Sequence, residues 1–222
     1  MIALTGLRYK YAQGPELIFD DLHLPAGEHL LLCGASGSGK STLLALMAGL
    51  LSPSAGQMMV AGVALQQLGA RQRDAWRGAH LGFVPQRLHL SAALSVADNL
   101  ALPQLCAGVP AQPARVAELL ERLGLATLSQ RLPHQLSAGQ AQRVALARAL
   151  MRRPRVLLAD EPSASLDDES TAQMLDLLLQ AVAAEQGTSL VLASHDARVA
   201  HHLAGLSGLR EHRLANLMQT SA

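Results

Sequence analysis

Aromatic residues are scarce in this chain of 222 residues: only Tyr9, Tyr11, Phe19, Trp76 and Phe83 carry a six-membered ring or an indole. Half of the residues are nevertheless apolar, so Leu, Ala and Val must fill the interior, which suits helices, and little remains for stacking on bases. Charge of one sign is also lacking. Eighteen Lys and Arg against 17 Asp and Glu leave a formal net charge of +1, too weak a field to steer a polyanion, so nucleic acid is not an expected partner. Cysteine is nearly absent. Cys33 and Cys106 have neither metal-ligand spacing nor the density of a disulfide scaffold, and a reducing cytoplasm fits them best. No apolar run approaches the ~18 residues of a membrane span, and the opening MIALTGLRYK lacks the charged-then-apolar order of a secretory signal. The expectation is a soluble chain forming one globular unit, too short for two full-size domains.

What the chain does have is a succession of short apolar runs separated by helical patterns. From Ile2 to Leu24 the pattern alternates between turn residues (Gly14, Pro15 and PAGE at 25–28), which reads as antiparallel strands and hairpins. HLLLC (29–33) is continuous and ends at glycines, as in a strand buried on both faces, and STLLALMAGL after it has helical spacing. LGFV (81–84), VLLAD (156–160) and SLVLA (189–193) are further runs of this kind, so a parallel α/β arrangement follows. Between about Ser91 and Arg153 no strand candidate occurs, and QPARVAELLERLGL and SAGQAQRVALARALMRR place apolar residues at helical intervals. The expected architecture is an α/β core with a mainly parallel sheet (1–90 and 154–222), an N-terminal antiparallel β subdomain within it, and an inserted α-helical subdomain (91–153).

Two motifs carry chemistry. GASGSGKS, Gly34 to Ser41, matches the phosphate-loop pattern G-x-x-x-x-G-K-[ST] in its required context, after a buried strand and before a helix. Its glycines let the main chain of Gly34, Ala35, Ser36, Gly37, Ser38 and Gly39 curl around phosphate oxygens at the positive end of a helix. Lys40 would then neutralise β- and γ-phosphates and Ser41 would ligate Mg²⁺, with Thr42 near the α-phosphate. ATP and Mg²⁺ are the implied cofactors, and the expected core is that of a P-loop nucleoside triphosphatase. In VLLADEP, two adjacent carboxylates stand at a strand's end, where successive side chains point to opposite sides. Asp160 can face Mg²⁺ through water and Glu161 the attacking water, as general base. Standing alone, such a pair would merely end a strand.

GASGSGKST, FVPQ, LSAGQAQRVALARAL, VLLADEPSASLD and ASHD, in this order, resemble the ATP-binding subunit of an ABC transporter, and the likeness covers nearly the whole chain. LSAGQ contains no acid, histidine or cysteine, so it can bind but cannot perform acid–base chemistry unaided. The resemblance implies that Ser137, Gly139 and Gln140, at a helix start, grip a phosphate of ATP held on another subunit's Gly34 to Thr42 loop. Two copies would sandwich two nucleotides head to tail, and neither would contain a complete site. Ala138 stands where the family usually has glycine. By the same resemblance Gln86 reaches Mg²⁺ and the water, with Pro85 replacing the usual aromatic before it; His195 donates to the γ-phosphate and orients the water of Glu161; and Asp167 is the acid of the loop that crosses the dimer interface. Tyr11 best matches the position that stacks on adenine. Tyr9 and Tyr11 can equally be half-buried strand tyrosines. The remaining histidines, including His201 and His202, read as surface or core residues, and the arginines from Arg143 to Arg155 as a solvated or salt-bridged face.

The function so implied is an ATP-hydrolysing motor at the cytoplasmic face of the inner membrane, driving separate integral membrane subunits that dock near Gln86 and RLHLSAALSV, including Leu88, Leu90 and Leu94. LLADEPSASLD and NLALP look more like the lipoprotein-release, macrolide-efflux and cell-division group than importers, with export or force transmission as the output, although SAS replaces the group's usual TGN. Competing classes are an importer's ATP-binding subunit, a soluble cassette ATPase acting on ribosomes or DNA, a P-loop kinase, and a non-hydrolysing ATP-dependent module.

Overall fold

The computed structural model describes residues 1–164 and 166–214. Ser165, and with it part of the SASLD loop, and residues 215–222 lie outside the described residues. The chain opens with three antiparallel strands, β1 (Ile2–Lys10), β2 (Glu16–Ile18) and β3 (Leu22–Leu24), followed by β4 (His29–Cys33) and α1 (Lys40–Met47). Next come β5 (Ala55–Val60), β6 (Val63–Ala64), α2 (Ala70–His80) and β7 (Leu81–Val84). Three helices follow without an intervening strand: α3 (Val96–Cys106), α4 (Pro113–Arg122) and α5 (Ala138–Leu150). The chain then alternates through β8 (Val156–Asp160), α6 (Asp168–Ala184), β9 (Ser189–Ser194), α7 (Ala197–Leu203) and β10 (Leu209–Arg213).

The strands form two sheets. In the first, β1 is central and antiparallel, with Ile2 opposite both Leu24 of β3 and Val60 of β5. The second is wholly parallel in the order β10-β4-β9-β8-β7. β4, β8 and β9 follow their apolar runs because they are covered on both faces: Leu30, Leu31 and Leu32, all of β8 and all of β9 are buried. The two-residue period then divides these side chains between two apolar cores. Leu30, Leu32, Val156, Leu158, Val191 and Ala193 join α1 and the antiparallel sheet, whereas Leu31, Leu157, Ala159, Leu190 and Leu192 join the apolar faces of α3 to α7. The helical stretch thus packs through the second cluster onto one face of the parallel sheet.

Two elements differ from the expectation. Ala55–Val60 is the strand with the most extensive pairing to β1, although its sequence AGQMMV buries only Met58 and Val60; antiparallel pairing, not an apolar run, makes it a strand. LREHR, at the parallel sheet's edge, has no buried residue and is held by its register with β4, which periodicity cannot reveal. Among the described residues no helix is long and apolar enough to cross a membrane.

The order of the parallel strands positions the site. In such a sheet every connection leaving a strand's carboxyl end emerges on the same side. The segments after Cys33, Val84, Asp160 and Ser194, which are the Gly34 loop, Gln86, Glu161 and His195, therefore converge on one edge.

Candidate functional site

After Cys33 the chain curls through Gly34 to Gly39 into α1. A Cβ on Gly34 would sit 2.5 Å from Ser38 Oγ, so no larger residue fits there unless Ser38 moves. Gly39, the residue capping α1, has φ 93°, a left-handed conformation that a side chain would strain. Lys40 follows as the first helical residue, 6% exposed, donating from Nζ to the carbonyls of Gly34 (2.8 Å) and Ala35 (3.1 Å). α1 has no acid in its first turn, so the positive end of its dipole and the Lys40 charge add rather than cancel. Such a helix start attracts an anion.

Facing the loop are the ends of β8 and β9. Asp160 is buried, and that burial pushes its carboxyl above the usual range; the Ser41 hydroxyl opposes this shift, the Glu161 charge reinforces it, and Lys40 opposes it again. Its Oδ1 has no hydrogen-bond partner. An orphaned carboxylate oxygen beside the Ser41 hydroxyl is an oxygen donor pair suited to a hard cation such as Mg²⁺, and Gln86 lines the same cleft as Ser41. Among the described residues no three His, Cys, Asp or Glu side chains could cage a metal.

Glu161 is one residue beyond the strand and has φ 49°. The two carboxylates are therefore separated by a left-handed turn, not by strand alternation as the sequence suggested. The turn is locked by Glu161 N–H donating to Ala193 O at 2.9 Å. The carboxylate, in a residue 9% exposed, accepts from Ser194 Oγ (3.1 Å at Oε2), lies 2.7 Å from His195 Nδ1 (at Oε1) and stands 3.7 Å from Lys40 Nζ. With Nδ1 of His195 engaged, its Nε2 remains for a ligand. Sequence reasoning missed Ser194, whose hydroxyl also accepts from Asp196 N–H at 3.1 Å; its place directly before His195, at the end of a buried strand, was the available signal.

One cleft of about 420 Å³ gathers Tyr11, Ser36, Gly37, Gly39, Lys40, Ser41, Thr42, Gln86, Glu161 and His195. Gly34 and Ala35 line the adjoining cleft beyond His195. Ser38 turns inward, its hydroxyl buried and unpartnered. Tyr11 lies just past β1, 43% exposed, its hydroxyl 2.7 Å from Thr42 Oγ1 and its ring edge-to-face with Tyr9 at 4.8 Å. Tyr9 is the strand tyrosine, packed against the core; Tyr11 is not.

The other expected residues are elsewhere. Ser137, Gly139, Gln140 and Asp167 line a separate cleft of about 420 Å³ that shares no residue with the first. Ser137 caps α5 reciprocally: its Oγ accepts from Gln140 N–H (3.2 Å), and Gln140 Oε1 accepts from Ser137 N–H (3.0 Å). A serine three residues before a glutamine was the sequence signature of that box. Asp167 caps α6, accepting from Ser170 N–H at 2.7 Å, and this bond holds its carboxyl below the usual range.

A glycine loop leading into a helix start with a buried lysine, with an acid pair and a histidine opposite, at the carboxyl edge of a parallel sheet, is the architecture of the P-loop nucleoside triphosphatases. Residues 20–164 match the family described as ABC transporter. Over 216 residues the chain is 40% identical to LolD 1, a lipoprotein-releasing system ATP-binding protein of Rhodospirillum rubrum, with 95% of each chain covered. It is 41% identical over 216 residues to MacB, a macrolide export ATP-binding/permease protein of Rhodopseudomonas palustris, covering 95% of this chain but 33% of that longer protein. Among solved structures, a dimeric post-hydrolysis state of the ATP-binding cassette MJ0796 bound to ADP and Pi superimposes with a TM-score of 0.81 and 31% identity over 91% of each chain. The chain belongs to the ABC transporter family.

Proposed function

We propose that this chain is the ATP-binding and ATP-hydrolysing motor subunit of a transporter, working as a head-to-tail pair at the cytoplasmic face of the inner membrane and driving separate membrane subunits. The observation that carries this reading is the division of the site between two clefts with no residue in common. The first gathers Tyr11, most of the phosphate loop with Lys40 and Ser41, Gln86, Glu161 and His195; the second holds the start of α5 with Ser137, Gly139 and Gln140, together with Arg143 and Asp167. A Cβ on Gly139 would meet nothing within 4 Å inside the chain, so whatever needs glycine there approaches from outside. A phosphate carried by a second copy is such a visitor. The names of the lipoprotein-release and macrolide-export relatives favour export or force transmission as the output. Residues 91–153 form the helical part of the single ATP-binding domain, and residues 1–90 with 154–222 the remainder.

The chain's residues divide the work as follows. The loop from Gly34 to Thr42 wraps the phosphates, and Lys40 exchanges the Gly34 and Ala35 carbonyls for phosphate oxygens. Tyr11 offers its ring face to the adenine. Ser41, Asp160 and Gln86 would hold Mg²⁺, which would supply positive charge against the phosphates. Glu161 takes a proton from the attacking water. His195, oriented through Nδ1 by Glu161, turns Nε2 toward the γ-phosphate, and Asp167 meets the interface. Closing the pair over ATP stores the affinity difference between open and closed states, and hydrolysis releases it. The test is the Glu161→Gln variant, in which the closed pair should accumulate: with saturating Mg-ATP it runs as a dimer in size exclusion and reverts to monomer without nucleotide. A monomer under both conditions rejects the reading.

A further inference from the structure

Residues 85–95, between β7 and α3, form no helix or strand, and they carry Gln86. Among the described residues, no main-chain hydrogen bond outside helices and strands involves residues 85–90. Two side chains hold the segment instead. Asn99, fully buried on α3, accepts from Ser91 N–H (2.8 Å) and donates to the carbonyls of Leu94 (3.0 Å), Ser95 (3.0 Å) and Ser91 (3.1 Å), knotting the distal end. The end near Gln86 is gripped by Arg148, from the last turn of α5, which donates from Nη2 to Leu88 O (2.5 Å) and from Nη1 to His89 O (2.8 Å). His89 has φ 47°, a conformation that costs a side-chain-bearing residue free energy and persists only where its surroundings impose it. The planar guanidinium presents two parallel donors to two successive carbonyls, a grip that an ammonium cannot reproduce.

We propose that Arg148 is a positioning residue for hydrolysis: through the Leu88 and His89 carbonyls it fixes where the loop presents Gln86, and it makes that position move with α5. Ser137 caps the same helix, 11 residues and therefore about 16 Å from Arg148, so the helix start that meets a partner's phosphate and the loop that meets the chain's own nucleotide are joined by one rod. The inference rests on the ATPase reading, and the closing experiment separates the two.

Arg148 lies outside the cleft that holds Tyr11, Lys40 and Glu161, so its loss should spare ATP binding and slow the chemical step. Arg148→Met is expected to lower kcat for ATP about tenfold, the value of one charge-assisted hydrogen bond, with KM changed less than twofold. Arg148→Lys, able to reach one carbonyl, should recover part of the loss. Amide hydrogen exchange over residues 87–92, measured on the full chain without hydrolysis, should accelerate in the Met variant and less in the Lys variant. Wild-type kcat in the Met variant, a rise in KM equal to the fall in kcat/KM, or unaltered exchange at 87–92 overturns the assignment. If the Met variant does not fold, the Lys variant alone decides, by the same split and the same exchange. Absence of hydrolysis in the wild type refutes the ATPase reading instead, while the exchange rates still judge Arg148.

Discussion

Asp160 is expected to cost the fold stability in return for its function, and Asp160→Asn should reveal it. The carboxylate is buried with Oδ1 unpartnered, and burial, not its neighbours, dominates its titration. An amide of the same shape removes the buried charge. A buried unsatisfied polar group costs about 1–3 kcal/mol; because the amide keeps some unpaired polarity, the gain should lie near the lower end, about 1 kcal/mol, or about 2–4 °C in Tm for a chain of this size. The sign with pH follows from the raised pKa: the folded state binds this proton more tightly than the unfolded state, so the wild type loses stability as pH rises through the folded-state value. The variant's advantage should therefore grow as pH rises above the ordinary carboxyl value, 3.8, and vanish below it. Scanning calorimetry without nucleotide measures it. Adding Mg-ATP at a hundred times its dissociation constant should stabilise the wild type by about 2.7 kcal/mol and the variant far less, inverting the order. A variant less stable than wild type at pH 7 without ligand would refute the reasoning, because Ser41 and Lys40 would then already satisfy the carboxylate.

Three further outcomes follow from the geometry. Ser137→Asp keeps the α5 cap, since aspartate caps as well as serine, so Tm should stay within about 1 °C while a carboxylate facing a phosphate abolishes ATP-driven pairing; loss of the fold instead would mean the residue serves only the helix. Gly82→Ala should destabilise by about 1–3 kcal/mol in chemical denaturation, because its Cβ would sit 2.5 Å from Ala149 O; a neutral result would show that β7 and α5 are not tightly packed. Tyr11→Ala should raise KM for ATP about fivefold, the value of roughly 1 kcal/mol of ring contact, with kcat unchanged, and Tyr11→Phe should restore KM; equal losses in both variants would assign the effect to the Thr42 hydrogen bond.

How much of this was legible in the sequence depended on whether a residue's environment is local. β4 and β8 match their apolar runs residue for residue because a strand buried on both faces needs an unbroken run, and β7 matches LGFV although only alternate residues of it are fully buried. β5 and β10 were not visible: AGQMMV is a strand through its pairing with β1 and not through an apolar run, and LREHR is an exposed, charged edge. The phosphate loop was readable because its glycines answer to a steric demand, as at Gly34 against Ser38. Ser194 and Arg148 act across 33 and 60 residues, on Glu161 and Leu88, and spacing along the chain cannot express such contacts. Glu161 illustrates the middle case: its identity was evident, but the left-handed turn that aims it depends on Ala193 in the neighbouring strand.

The central claim, that each nucleotide site is split between two copies of the chain, is tested most directly by mixing two inactive variants. Lys40→Met disables the cleft that holds ATP and Ser137→Asp disables the cleft that covers it, so each homodimer should be inactive. In a mixed dimer one site takes Lys40 from one copy and Ser137 from the other, and both are intact. With random pairing of equal amounts, half of the dimers carry one working site of two, and ATPase activity should recover to about a quarter of wild type. Full activity in Ser137→Asp alone, or a mixture no more active than its separate components, would contradict the account.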